Sequence, residues 1–316
     1  MKKLVSLVLA LMLCLSCVSA LAAEAWTVTC PWAPSGVAAM VNQAASLSTT
    51  YSQDYVLVAN AEKGDTATIN SWLTKYTEAD PQMCFIGEGM FGITAILDPE
   101  RMNFTYDDFE YVENLYSSIF VASARKELGL TSIDALKAYL EEGNQIMVGT
   151  NGATGSEAFL AAALIGAMGY GDQFYLIPYE SAAEAAQAVA RGEVDIAVSH
   201  QSQILETWQQ GGVDVFAAFD GEPIAQGPFK GVEGVGQYGY PYFRNRCFIF
   251  AKAGADEQKI ADLKALYAQI LTDEEMVDWL NNTMLLEADM MTEEEVIAHI
   301  DNVKNIVEEY YDLVAE

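Results

Sequence analysis

Residues 146–159, IMVGTNGATGSEAF, offer chemistry through the backbone rather than through a catalytic side chain. An apolar strand runs into a loop of Gly, Thr, Asn and Ser, and an Ala-rich helix follows. Gly149, Gly152 and Gly155 let the backbone turn tightly and let a ligand approach it. A helix start leaves backbone N–H groups unpaired and carries the positive end of the helix dipole. The chemistry on offer is capture of an anion, a carboxylate or a phosphate. An ordinary strand-to-helix turn is the alternative reading of the same residues.

A second opening of this kind lies near the start. Residues 26–31, WTVTCP, read as a strand, Trp32-Ala33-Pro34-Ser35-Gly36 as the loop after it, and 37–47 as a helix with Ser35 at its N-cap. His200 closes another strand, at the end where α/β sheets contact their ligands. It is either a ligand contact or a structural histidine. Ser156 and His200 as nucleophile and base would make an exported hydrolase. No G-x-S-x-G elbow is present, however, and no acid stands identifiably behind His200, so no residue is assigned as catalytic. His200 and His299 are far apart, and Cys30, Cys84 and Cys247 are scattered. That is no metal-binding spacing, and no cofactor is expected. The three cysteines are either buried free thiols or include a Cys30–Cys84 pair. Trp32 and Tyr179 flank loops and belong to a cleft or a core, whereas Trp208 and Tyr238 read as packing.

These residues need a scaffold, and the chain supplies alternating strands and helices. Strands are expected at 55–59, 83–86, 174–177, 194–198 and 213–218. A helix at 66–75 has Asp65 as its cap, and a capping box at Ser181 and Glu184 opens the helix 182–190. Two β runs, 119–122 and 247–251, read as crossings between domains. The last helix, 293–314, opens with a Thr292–Glu295 box. Its apolar stripe is Val296, Ile300, Val303, Val307, Tyr310 and Val314, with His299 expected at the surface. Two crossings imply an α/β protein of two domains, each a mostly parallel sheet flanked by helices. Domain 1 is 23–120 plus 243–316 and domain 2 is 121–242, with a cleft between them.

Composition narrows the function. Residues 1–22 read as a signal peptide: Lys2 and Lys3, an apolar run, then Ala20-Leu21-Ala22. Cys17 offers a lipid-attachment alternative. The formal charge is −29, and −31 once a leader with two lysines is removed. Such a chain repels nucleic acid and anionic lipid. It is expected to be exported, periplasmic or at the cell surface.

In order along the chain, Pro31-Trp32-Ala33-Pro34-Ser35-Gly36, Asp107–Val112, Gly152 with Gly155-Ser156, Ile177-Pro178-Tyr179-Glu180 and Ala190-Arg191-Gly192-Glu193-Val194-Asp195 resemble segments of the Bug-type receptors. These are the substrate-binding proteins of tripartite tricarboxylate transporters. The resemblance covers nearly all of the chain after residue 22. It implies a Venus-flytrap fold and a small carboxylated ligand held largely by backbone amides. It also implies a monomer serving the large and small membrane subunits of a secondary transporter. Carried over, Ser35 and Gly36 contribute from one domain, Gly152, Ala153, Gly155 and Ser156 from the other, with Tyr179 and Glu180 lining the cleft. Three departures stand out. The family's loop Asp aligns with Ala39, its His with Phe159, and its basic residue after Pro-Tyr with Glu180, while Thr154 is an insertion. An acid at Glu180 suits an amine or hydroxyl, so the expected ligand is a monocarboxylate or amino-acid-like molecule rather than citrate. A receptor of the same fold feeding a membrane sensor is the alternative.

Overall fold

The computed structural model describes residues 23–32 and 36–315. The expected signal peptide with Cys17, and the loop residues Pro34 and Ser35, lie outside the described residues. Among the described residues ten strands build two five-stranded sheets. The first holds β1 (Glu24–Cys30), β2 (Tyr55–Ala61), β3 (Gln82–Gly87), β4 (Phe109–Ser118) and β10 (Asn245–Lys252), in the order β2-β1-β3-β10-β4. The second holds β5 (Phe120–Arg125), β6 (Ile146–Asn151), β7 (Phe174–Tyr179), β8 (Ile196–His200) and β9 (Val213–Ala218), in the order β7-β6-β8-β5-β9.

Each sheet is mixed, with four of its five strands running the same way, as expected, and one reversed. β1 runs parallel to β2 and β3, and β6 runs parallel to β7 and β8. β10 is antiparallel to β3 and β4, and β5 is antiparallel to β8 and β9. The reversed strands β5 and β10 are the ones that enter their sheet from the other lobe, so they run back along it.

Helices cover both faces of each sheet, as buried, near-continuous apolar strands require. α1 (Gly36–Tyr51) and α7 (Glu257–Leu271) pack on one face of the first sheet around Val28, Phe85 and Ile249. α2 (Thr66–Lys75) covers the other face, around Ile86, Phe248 and Phe250. In the second lobe, α3 (Ile133–Glu141) and α4 (Ser156–Ala167) share a core with β6, while α5 (Ala182–Arg191) and α6 (Gln201–Gln209) cover the opposite face. α4 is buried on every side from Glu157 to Ile165. Burial of Phe159, Leu160, Leu164 and Ile165 contributes roughly 1.5–3 kcal/mol each, which fixes the helix start rigidly.

After α8 (Glu274–Trp279) comes α9 (Glu293–Ala315), which packs against both lobes. Its stripe is as read, but Val296 and Ile300 join the first-lobe core while Val303, Val307, Tyr310 and Val314 join the second. The helix is interrupted near its end at Tyr310, whose φ of −109° and ψ of 16° are not helical. His299, expected at the surface, is buried, and its Nδ1 lies 3.0 Å from Arg246 Nη1. It sits between Val296 and Ile300 on the flank of the stripe. The lobes are also tied by Arg244, whose guanidinium hydrogen-bonds Asp220 just after β9 and Ser117 and Glu287 on the first-lobe side.

Local signals behaved unevenly. Ser181 Oγ accepts the Glu184 amide, and Thr292 and Glu295 exchange both bonds of their capping box. Asp65 precedes α2 but does not cap it: its φ is +48° and its side chain takes no cap hydrogen bond. All three described cysteines are buried free thiols, with no Cys30–Cys84 disulfide.

Candidate functional site

The turn after β3 and the loop between β6 and α4 face each other. A Cβ placed on Gly89 would stand 3.9 Å from the Ser156 hydroxyl in the opposite lobe. Between them lies a cleft of about 440 Å³, within the range of small-molecule sites. The first lobe lines it with Trp32, Gly87, Glu88, Gly89 and Tyr116, and the second with Phe120, Thr154, Gly155, Ser156, Glu157 and His200.

Of the residues expected at the site, Trp32, Thr154, Gly155, Ser156 and His200 therefore meet in one cleft. Gly152 stands behind them. Its φ of +72° turns the loop, its N–H donates to the Tyr179 carbonyl, and its own carbonyl accepts from Thr150. Gly36 begins α1. Pro34 and Ser35 are not described. Three of the expected residues do not line this cleft. Ala153 lines a separate outer groove with Tyr175 and Leu176. Tyr179 packs over Gly149 beside the core of α5, and Glu180 is exposed. The reason is topological. Tyr179 ends β7, the edge strand, so its loop lies on the outer flank rather than over the middle of the sheet, where β6 and β8 end.

Gly155 is a glycine for a structural reason. Its φ of −78° suits any residue, but a Cβ would lie 2.6 Å from the Asn151 carbonyl oxygen. The helix start it introduces is not an open anion seat. Glu157, in the first turn, is 4% exposed, and its carboxylate lies at the helix start, 3.2 Å from where a Gly155 Cβ would stand. Glu88, 1% exposed, accepts both Asn245 Nδ2–H contacts, at 3.0 and 3.1 Å, and the Arg246 amide at 3.0 Å. Burial pushes both carboxyls up to about 7, and for Glu157 the nearby Glu88 adds to the rise. Desolvation of the charged form outweighs the hydrogen bonds that favour it.

Neither glutamate was singled out from sequence. In the sequence Glu157 is a single acid after Ser156, and Glu88 stands between Gly87 and Gly89. Only the facing of the two lobes makes them a pair. His200 donates to or accepts from Ser118 Oγ at 3.0 Å through Nδ1, and its ring lies 4.3 Å from that of Phe120. Burial lowers its pKa to about 4, so it is a neutral imidazole at neutral pH. Its partner is a hydroxyl rather than a carboxylate, so the Asp–His arrangement of a hydrolytic triad is not what this histidine makes. No group of three metal-ligating side chains occurs among the described residues.

Solved structures match the whole arrangement. A TctC solute-binding protein from Polaromonas without ligand superposes with a TM-score of 0.77 at 15% identity, covering 90% of this chain and 98% of that one. The fold is that of a periplasmic solute-binding protein. An adipate-bound protein of R. palustris matches at a TM-score of 0.73 and 15% identity, over 92% of this chain and 98% of its own. MatC from Rhodopseudomonas palustris, with bound malate, matches at 0.66 and 17%, again over 92% and 98%. The periplasmic binding protein BugD belongs to the same set of neighbours. At these identities the likeness is one of fold. No protein-family model and no curated sequence matches the chain. In the solute-binding fold the interlobe cleft, rather than the outer grooves, is the place where both lobes can touch one guest. No helix among the described residues is long and apolar enough to cross a membrane.

Proposed function

We propose that this is an exported solute-binding protein of the tripartite tricarboxylate transporter type. It captures a small metabolite between its lobes and presents the loaded form to a membrane transporter. The observation that carries this reading is the cleft itself, lined from both lobes by turns at strand ends. A guest touching Gly89 on one side and Ser156 on the other interacts with both lobes only when they are together, so it shifts the balance towards that state. The ligands named for the matched structures, adipate and malate, support a small organic acid as the class. No lysine or arginine lines this cleft, however, and two glutamates do. An amino-acid-like or monocarboxylate guest fits that lining better than a dicarboxylate, whose second carboxylate would find no cationic partner.

Gly89→Leu tests the reading. Gly89 has φ −60° and ψ −29°, a helical conformation open to any residue, and its Cβ would make only ordinary contacts at 3.8 and 3.9 Å. A leucine there fills the gap without straining the backbone. Calorimetry with the solute that copurifies with the wild-type protein should show binding lost and the melting temperature kept. Unchanged affinity would refute the cleft as the site.

A further inference from the structure

Resting on that reading of the cleft, we propose that the group it recognises is a protonated amine, seated between the Glu88 and Glu157 carboxylates and beside the rings of Trp32, Tyr116 and Phe120. Among the described residues, the lining carries Asp65, Glu88 and Glu157 and no lysine or arginine. Neither buried glutamate takes part in an ion pair among the described residues. The nearest guanidinium, that of Arg246, is turned away to Asp289 and His299. Arg246 donates its backbone amide to Glu88, and its charge is the weakest of the influences on that carboxyl. Two carboxylates are thus held from opposite lobes, with neutral donors alone to satisfy them. Buried charge is tolerated when it is paired, and here the missing partner is a cation.

A carboxylate of the guest at the start of α4 would meet the buried Glu157 carboxylate, which lies 3.2 Å from where a Gly155 Cβ would stand. An ammonium group meets the opposite situation. It donates to both carboxylates and presents its charge to aromatic faces, the two chemistries that recognise small organic cations. The groups facing the pair are otherwise uncharged at neutral pH or negative. They are Asp65 at the start of α2, the neutral His200 at the end of β8, and Tyr116 and Cys247, whose protons burial holds. On β10, Asn245 and the Arg246 amide face Glu88, and the Arg246 guanidinium is, among the described residues, the one positive group near it, engaged with Asp289 and His299.

A charge-pairing guest also changes the proton count. With both carboxyls near 7 in the free protein, an ammonium favours the ionised forms and drives protons off. A carboxylate guest would do the reverse and take protons up.

The test is calorimetry on the processed full chain at pH 7, in buffers of different ionisation enthalpy. The probes are putrescine, L-glutamine and malate. We expect an amine probe to bind with release of up to about one proton, and more tightly than malate. Its affinity should rise about tenfold from pH 6 to pH 8, as one carboxyl titrating near 7 becomes available. Glu157→Gln and, separately, Glu88→Gln should each weaken amine binding at least tenfold while circular dichroism melts show a folded protein. Binding of malate alone with proton uptake overturns the inference and leaves the solute-binding reading standing. Failure of both amines to bind, or amine affinity unchanged in both glutamine variants, also overturns it. Heats that persist in Gly89→Leu place the guest outside the cleft and overturn the solute-binding reading itself.

Discussion

Replacing Glu157 by glutamine isolates one term in the pH dependence of stability, and the sign can be worked out. A carboxyl raised from 4.5 to about 7 in the folded protein contributes stability fully below pH 4.5 and loses it as pH rises through 7. The shift corresponds to a ceiling of about 3 kcal/mol per carboxyl, and relaxation around the group brings the expected value to about half of that. Glu88 acts in the same direction over the same window. The histidines act oppositely. His200 and His299 are depressed from 6.5 to about 4 and about 3. Their contribution is complete above pH 6.5 and lost as pH falls through the folded values. Two falling and two rising terms overlap between about pH 4.5 and 6.5, so the wild-type profile should be nearly flat there. Glu157→Gln removes one falling term. Its stability relative to wild type, from urea unfolding at half-unit pH steps, should climb by about 1.5–3 kcal/mol between pH 4.5 and 7 and then level off. Parallel profiles for the two proteins would refute the burial argument for this carboxyl. General charge repulsion in so acidic a chain cancels in the difference.

Two further outcomes follow from the geometry. Gly155→Ala forces a Cβ to 2.6 Å from the Asn151 carbonyl oxygen, so it should lower stability by about 1–3 kcal/mol and loosen the loop. A melting temperature equal to wild type would contradict that. Arg244→Met leaves Asp220, 8% exposed, without its guanidinium partner across the lobe junction. It should cost about 2 kcal/mol in urea unfolding, at the low end for a buried pair because Arg244 keeps some solvent contact. An unchanged midpoint would show that the lobes are held together by α9 alone.

Much of the fold was legible because local chemistry and tertiary packing agree. The Thr292 box forms as read, Ser181 caps its helix while the Glu184 carboxylate takes the Glu180 amide instead of closing the box, and the apolar stripe of α9 is the one that packs. What the stripe could not reveal is that its two halves serve different lobes, since both cores demand the same apolar residues. Asp65 failed as a cap because Pro31 O binds the Gly64 and Asp65 amides and holds the turn at positive φ, away from capping geometry. The candidate cleft was legible in part. Ser156 and His200 reach it because strand ends feed loops, and loops gather at one edge of a sheet. Glu180 lies off it, after an edge strand that sequence does not tell from a central one. Glu88 and Glu157 were missed because their meaning depends on each other, and they are 69 positions apart in the chain. Burial, not residue type, makes a glutamate in a first turn unusual.

The central claim is that one guest is held between the turn at Glu88 and the start of α4. A crystal structure of the protein with the solute it carries when purified from the host that exports it tests this most directly. The account predicts one small molecule in contact with Glu88 and Trp32 from one lobe and Ser156 and Glu157 from the other. A solute seated in the outer groove of Ala153 and Tyr175, with the cleft empty, would contradict it.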